Sequence, residues 1–157
     1  MKTVQYFMSP VSPWSYLGHK RFLAMASANG ARVLLRPIDL GRVFPQSGGL
    51  PLAKRAPQRQ AYRLHELPRW RDHVGVPLNV HPKFFPAPSD DAARLIIAAD
   101  LALGTEAALR LAGAFLSAVW AEDRNIGDAP TRAAIVAEQG IDAAVLEARA
   151  DDARAAF

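Results

Sequence analysis

The sequence predicts an α/β fold that opens as strand, helix and strand and then continues as a series of helices. Residues 3–7 carry β-forming side chains in an alternating pattern, and residues 31–37 form a second short stretch of this kind. Between them, residues 16–28 have the apolar spacing of an amphipathic helix and end at Asn29 and Gly30. Two strands joined by one helix are expected to lie parallel, with a right-handed crossover.

Ser12 and Pro13 mark the start of the first predicted helix. Serine is favoured as the N-cap residue, and proline at the first helical position, where its missing N–H would have no partner. The unpaired N–H groups and the dipole of the helix favour an anion at this end, such as a thiolate or a carboxylate. Ser12 therefore either caps its helix only or also faces a bound anion.

Loops and helices are predicted for the rest of the chain. Residues 38–40 extend the second strand, and residues 44–57, rich in proline and glycine, predict an irregular loop. A helix over residues 58–73, which Pro68 is expected to kink or interrupt, precedes a second long loop over residues 74–88. Four more helices are predicted over residues 92–103, 105–123, 128–140 and 142–157.

Composition excludes several classes of protein. The chain has 157 residues, of which 50% are hydrophobic, so it is long enough for one domain with a core. We expect a cytoplasmic protein without a membrane partner, because no apolar segment could span a bilayer and no secretory signal is evident. The net charge of +4 comes from basic residues without a dense block, which does not favour a nucleic-acid partner. The densest basic region, residues 54–71, predicts a solvated helix face or, less commonly, an anion site.

The chain contains no cysteine, so sulfur chemistry cannot come from its own side chains. Disulfides, thiolate metal sites and cysteine nucleophiles are all excluded, and any thiol must arrive as a ligand. The four histidines do not have the spacing of a metal site, so no metal is predicted; they are His19, His65, His73 and His81.

Five short motifs occur in order along the chain. They are Y-F-M-S-P-V-S-P-W-S-Y-L-G at residues 6–18, R-P-I-D-L at 36–40, R-W at 69–70, G-V-P-L at 75–78 and A-V-W at 118–120. Together they resemble the 2-hydroxychromene-2-carboxylate isomerases, relatives of kappa-class glutathione transferases and of the DsbA-like branch of the thioredoxin fold. This resemblance implies a thioredoxin-like fold with a helical insertion. Residues 1–42 would form its N-terminal strand-helix-strand unit, and residues 43–157 the helical insertion domain.

Members of that family continue beyond the helices with a G-V-P-T-type segment carrying a cis-proline, two more strands and a final helix. This sequence has no such segment after its helices. A sheet of two strands would have open edges and would lose part of its helical cover. We therefore expect the sequence to be part of a longer protein, with the C-terminal thioredoxin half missing.

The resemblance also implies a site. Glutathione would lie with its sulfur near Ser12, whose hydroxyl would donate a hydrogen bond that favours the thiolate. In these isomerases the thiolate is expected to add to a conjugated carbon and then to leave, which makes glutathione a cofactor. Arg42, Val43 and Lys83 match the substrate-contacting region, and Lys83 could neutralise a substrate carboxylate. The alternative for the two basic residues is ordinary surface charge.

Three functions remain open. The first is a glutathione-dependent isomerase of an aromatic or conjugated carboxylate, and the second is a kappa-like transferase that conjugates glutathione to an electrophile. The third is a non-catalytic, truncated homologue that binds partners through exposed surfaces. Disulfide exchange is excluded, because Ser12 and Ser15 fill the places of the C-x-x-C motif common on this fold. The expected partners are glutathione and a small-molecule substrate, with a homodimer as a possible assembly.

Overall fold

The chain opens with two parallel strands joined by a helix. The structure is a computed structural model that describes residues 2–157. Strand β1 is Thr3–Met8, helix α1 is Pro13–Ala28 and strand β2 is Arg32–Pro37. The strands pair in parallel from Thr3 opposite Arg32 to Met8 opposite Pro37. The predicted strand-helix-strand unit and its parallel pairing are confirmed.

The segment after β2 turns into a helix, so the predicted extension of the strand over residues 38–40 is wrong. Helix α2, Leu40–Ser47, begins where the Asp39 carboxylate accepts a hydrogen bond of 2.7 Å from the Gly41 N–H. A cap of this kind stabilises the first turn of a helix at the expense of extended structure. The predicted irregular loop over residues 44–57 is therefore also partly helical, and it contains a 3₁₀ turn at Leu52–Lys54. The domain boundary after residue 42, which stays a prediction, falls inside α2.

Six further helices complete the described chain. Helix α3, Pro57–Val74, continues through Pro68, which does not interrupt it. A proline inside a helix removes only one backbone hydrogen bond, and the fully buried Leu67 beside it anchors the helix in the core. Helix α5 ends three residues earlier than predicted, and the last predicted helix is divided at Arg149, which leaves helical geometry with φ −113° and ψ 10°. The other helices are α4 (Asp90–Leu103), α5 (Thr105–Trp120), α6 (Ala129–Glu138), α7 (Ala143–Glu147) and α8 (Ala150–Ala156). None of the described helices combines the length and the apolar character needed to cross a membrane.

The core lies where α4 and α5 pack against each other, with β2 and α1 beside them. Its large side chains include Ile96, Leu111, Phe115 and Trp120, which have no exposed surface. Small side chains let α4 and α5 approach closely, and the fully buried alanines of these two helices are Ala92, Ala93, Ala99, Ala108, Ala112 and Ala118. This core fixes the position of α1, whose N-terminus carries Ser12.

A buried histidine connects α1 to both the sheet and α5. Nδ1 of His19 lies 3.1 Å from the Tyr6 hydroxyl, and its Nε2 lies 3.1 Å from the Leu109 carbonyl oxygen. A neutral imidazole satisfies both contacts when Nε2–H donates to Leu109 and Nδ1 accepts from Tyr6. Gly113 makes room for the ring, since a Cβ at this position would lie 3.1 Å from the His19 Nε2. Burial lowers the pKa of His19 and raises the pKa of Tyr6 to about 12.

We expect His19 to make stability depend on pH. The folded pKa lies below the unfolded value of about 6.5, so the unfolded chain takes up a proton that the folded chain does not. The free energy of unfolding should therefore be fully maintained above pH ~6.5 and fall as the pH decreases from there towards the lowered pKa. Urea denaturation at several pH values measures this effect. In His19→Gln the part of the pH dependence that comes from this histidine should be absent, whereas His65→Gln, at an exposed position, should keep the pH dependence of the unmodified protein. An unchanged pH dependence in His19→Gln would contradict the assignment.

We also expect Ser12 to stabilise α1 as its N-cap. The Ser12 Oγ accepts a hydrogen bond of 3.2 Å from the Ser15 N–H, and Pro13 is the first helical residue. Ser12→Ala should lower the free energy of unfolding by about 1 kcal/mol. Ser12→Asp keeps a side-chain acceptor for the Ser15 N–H, so it should lower the free energy of unfolding by a smaller amount. Ser15→Ala is the matched control, since it removes a hydroxyl one turn away without touching the cap. Equal losses in Ser12→Ala and Ser15→Ala, measured by urea denaturation, would argue against capping.

Candidate active site

A cleft of about 500 Å³ opens at the N-terminus of α1, and we call it the Ser12 cleft. Its walls come from the start of α1, from α2, from the segment around the 3₁₀ turn, from α3 and from the loop before α4. Most of its lining is apolar, with Trp14, Phe44 and Phe85 as the largest side chains. The polar lining consists of Ser12, Arg55, Gln60 and Arg63. A mostly apolar cleft with a few convergent polar groups is typical of a small-molecule site.

Ser12 can cap α1 and donate a hydrogen bond into the cleft at the same time. Its hydroxyl oxygen accepts from the Ser15 N–H, which confirms the predicted N-cap. A hydroxyl that accepts one hydrogen bond still has its own O–H to donate. The half-buried Ser12 can therefore donate into the cleft while it caps α1. Its role against a bound sulfur stays a prediction.

Two arginines give the cleft positive charge. The guanidinium carbon of Arg63 lies 5.2 Å from the centre of the Phe85 ring and 5.5 Å from the centre of the Trp120 ring. Arg55 donates from Nε to the Leu50 carbonyl at 2.9 Å. Burial, and secondarily the charge of Arg55, lowers the pKa of Arg63.

Among the described residues, no carboxylate lies within ion-pair distance of these arginines. Nη2 of Arg63 is buried and has no hydrogen-bond partner among the described side chains and backbone. The ion pairs found within residues 2–157 do not include Arg55 or Arg63, and the lining of the cleft holds no carboxylate. A buried guanidinium N–H without an acceptor is costly, and an anionic ligand in the cleft would supply one.

The predicted substrate residues lie near the cleft in sequence but not in its lining. Arg42 and Val43 are exposed on α2, whereas their neighbours Leu40, Gly41 and Phe44 line the cleft. Lys83 is also exposed, and its ammonium group lies 5.3 Å from the centre of the Phe84 ring. The roles of Arg42, Val43 and Lys83 therefore stay predictions.

Sequence reasoning did not assign Arg55 and Arg63 to this site. The available signal was their spacing, because Arg55, Arg59 and Arg63 are four residues apart in the densest basic region. That pattern left a solvated face and an anion site open. The structure shows Arg55 and Arg63 half-buried at the cleft and Arg59 exposed.

Tyr16 supports one side of the site. Its hydroxyl donates to the Pro77 carbonyl at 2.5 Å, which ties α1 to the long loop before α4. Burial and the nearby charge of Glu122 raise the pKa of Tyr16. Tyr16 is thus a neutral donor at neutral pH, and it fixes the loop that carries Phe85.

The described residues contain no group of three or more His, Asp or Glu side chains that could hold a metal ion. Without cysteine, Ser12 and Ser15 also cannot exchange disulfides. The site can therefore bind and polarise a ligand, and it can donate a hydrogen bond from Ser12.

Comparison with known proteins agrees with this architecture. The family model for the DSBA-like thioredoxin domain matches residues 3–156. No curated protein sequence matches the chain.

Several solved structures have the same fold. A structure of 2-hydroxychromene-2-carboxylate isomerase has a TM-score of 0.73 and 24% identity, over 95% of this chain and 71% of that one. The cytosolic disulfide reductase DsbM from Pseudomonas aeruginosa has a TM-score of 0.72 and 19% identity, over 99% of this chain and 74% of DsbM. A structure of DsbM with GSH has a TM-score of 0.66 and 19% identity, over 99% and 75% of the two chains. These likenesses confirm the predicted fold, and with the family match they show that the chain belongs to the DsbA-like thioredoxin domain family.

Proposed function

We propose that the protein is a glutathione-dependent isomerase of the 2-hydroxychromene-2-carboxylate type, which acts on an aromatic or conjugated carboxylate. One observation carries the proposal: the Ser12 hydroxyl and the start of α1 face a cleft that holds two arginines and no carboxylate. Such a site favours an anion, and a thiolate is the anion that this chemistry requires. The similarity in fold to an isomerase of this name, and to a reductase solved with GSH, supports the choice of ligand.

The residues of the cleft suit glutathione, a tripeptide with two carboxylates and a thiol. The buried Nη2 of Arg63 has no hydrogen-bond acceptor among the described residues, and a carboxylate of the peptide or of the substrate would provide one. Ser12 would donate its O–H to the sulfur, and the N–H groups of the first turn of α1 would add positive potential. Both effects stabilise the charged form of the thiol and so lower its pKa.

Glutathione, when bound, supplies a nucleophilic thiolate that is regenerated at the end of an isomerisation. The protein itself contributes binding and polarisation. Phe44 and Phe85 contribute apolar surface to the lining of the cleft, and an apolar surrounding strengthens the interaction of the arginines with negative charge. Ser12 is a donor in this proposal and does not attack the substrate.

A kappa-like glutathione transferase is the second candidate, because the same polarised thiolate would conjugate to an electrophile. The two reactions differ in whether glutathione is consumed. Assaying free glutathione during turnover distinguishes them, since an isomerase leaves its amount unchanged. A protein that fails to bind glutathione would instead fit a non-catalytic homologue. Either enzyme requires a reducing compartment, in agreement with the expected cytoplasmic location.

We expect glutathione to bind the protein and Ser12→Ala to raise the pKa of the bound thiol, because the donor to the sulfur is lost. Turnover of 2-hydroxychromene-2-carboxylate should fall by about tenfold to a thousandfold. Calorimetry measures binding, and the ultraviolet absorbance of the thiolate, followed against pH, measures the pKa.

Ser15→Ala is the matched control, since Ser15 follows Ser12 by one helical turn and does not line the cleft. It should leave the pKa of the thiol and the turnover close to those of the unmodified protein. An unchanged thiol pKa in Ser12→Ala would remove Ser12 as the activating group. Absence of glutathione binding would overturn the proposed function.

A further inference from the structure

A second, smaller pocket adjoins the Ser12 cleft on α3, and we call it the arginine pocket. It has a volume of about 290 Å³ and shares Trp14, Arg55 and Arg63 with the cleft. Its other lining residues are Arg59, Tyr62, Glu66 and Trp70. Because three residues belong to both spaces, a ligand can extend from one into the other.

The arginine pocket carries an excess of positive charge. Three arginines line it, and Glu66 is its one carboxylate. In the described part of the chain, neither these arginines nor Glu66 take part in an ion pair. The arginines converge on a concave surface and form no ion pair among the described residues, which is the arrangement expected for an anionic ligand.

Aromatic surface is exposed beside these charges. Trp14, Tyr62 and Trp70 keep 42%, 44% and 43% of their surface exposed. The guanidinium carbon of Arg59 lies 5.5 Å from the centre of the Tyr62 ring. Flat guanidinium and aromatic surfaces bind planar rings by stacking, so the pocket suits a ligand that is both aromatic and anionic.

We propose that the arginine pocket binds the carboxylate and the adjoining planar ring of the substrate, while the conjugated carbon that the thiolate attacks faces the Ser12 cleft. This assignment rests on the proposed function, and it adds Arg59 and Tyr62 as residues that determine specificity. Arg63, shared by both spaces, lies between the two ends of the ligand. The pocket volume is near the lower limit for small-molecule sites, which fits one part of a ligand rather than the whole.

The proposal is tested with naphthalene-2-carboxylate as a probe, without glutathione. Calorimetry gives the affinity, and NMR of the indole N–H groups reports contact with Trp14 and Trp70. We expect the probe to bind and to shift the Trp70 signal. The neutral naphthalene-2-carboxamide and the non-aromatic cyclohexanecarboxylate should each bind at least about fivefold more weakly, because each lacks one of the two features.

Arg59→Gln should weaken the binding of naphthalene-2-carboxylate by about fivefold to tenfold, and Tyr62→Ala by a similar factor. Arg69→Gln is the matched control, because Arg69 is exposed on the same helix outside the pocket and its loss should change little. In turnover, Arg59→Gln should raise KM for the carboxylate substrate and leave the pKa of the bound thiol unchanged.

Equal affinity for carboxylate and carboxamide, or equal effects of Arg59→Gln and Arg69→Gln, would overturn the assignment of the pocket. Tight binding of cyclohexanecarboxylate would show a site for anions in general and would also overturn it. These outcomes are separate from glutathione binding. If the probe binds through Arg59 but glutathione does not bind, the proposed function fails and the pocket stands.

Discussion

The candidate site depends on one buried side chain, Trp120, at the end of α5. Its indole N–H donates to the Val11 carbonyl at 3.3 Å, which holds the residue before Ser12. Its ring centre lies 4.9 Å from that of Phe85 and 5.5 Å from the guanidinium of Arg63. Its own carbonyl accepts from the Asn79 N–H at 2.6 Å. One residue without exposed surface thus joins the loop before α1, helix α3 and the long loop before α4, which together form the walls of the cleft.

Two arginines of this fold have different environments: Arg124 forms an ion pair, whereas Arg63 at the cleft does not. Arg124 donates to both carboxylate oxygens of Glu138, at 2.8 and 2.9 Å, and these hydrogen bonds raise its pKa. Arg63 packs on two aromatic rings, and burial lowers its pKa. The first arginine has its acceptors within the fold. The second leaves a buried N–H without an acceptor, a state that costs free energy and is typical of binding sites.

The absence of cysteine shows how a shared fold can host different chemistry. The chain has the same fold as a disulfide reductase, yet it contains no cysteine, and Ser12 and Ser15 stand at the start of α1. A helix N-terminus, whose dipole favours a thiolate, lies at Ser12. The chain has no sulfur of its own at this site, which is why the proposed function relies on a thiol from a ligand.

Local patterns in the sequence determined the strand-helix-strand opening and the cap at Ser12, because these depend on side chains close in the chain. They failed at Asp39, where a single capping carboxylate starts α2 instead of extending β2. They also left the region of Arg55, Arg59 and Arg63 open between a solvated face and an anion site. Only the tertiary structure distinguishes these arginines. Packing of Arg63 against Phe85 and Trp120, residues distant in sequence, removes it from water and directs its charge to the cleft, and no pattern within one helix contains that contact.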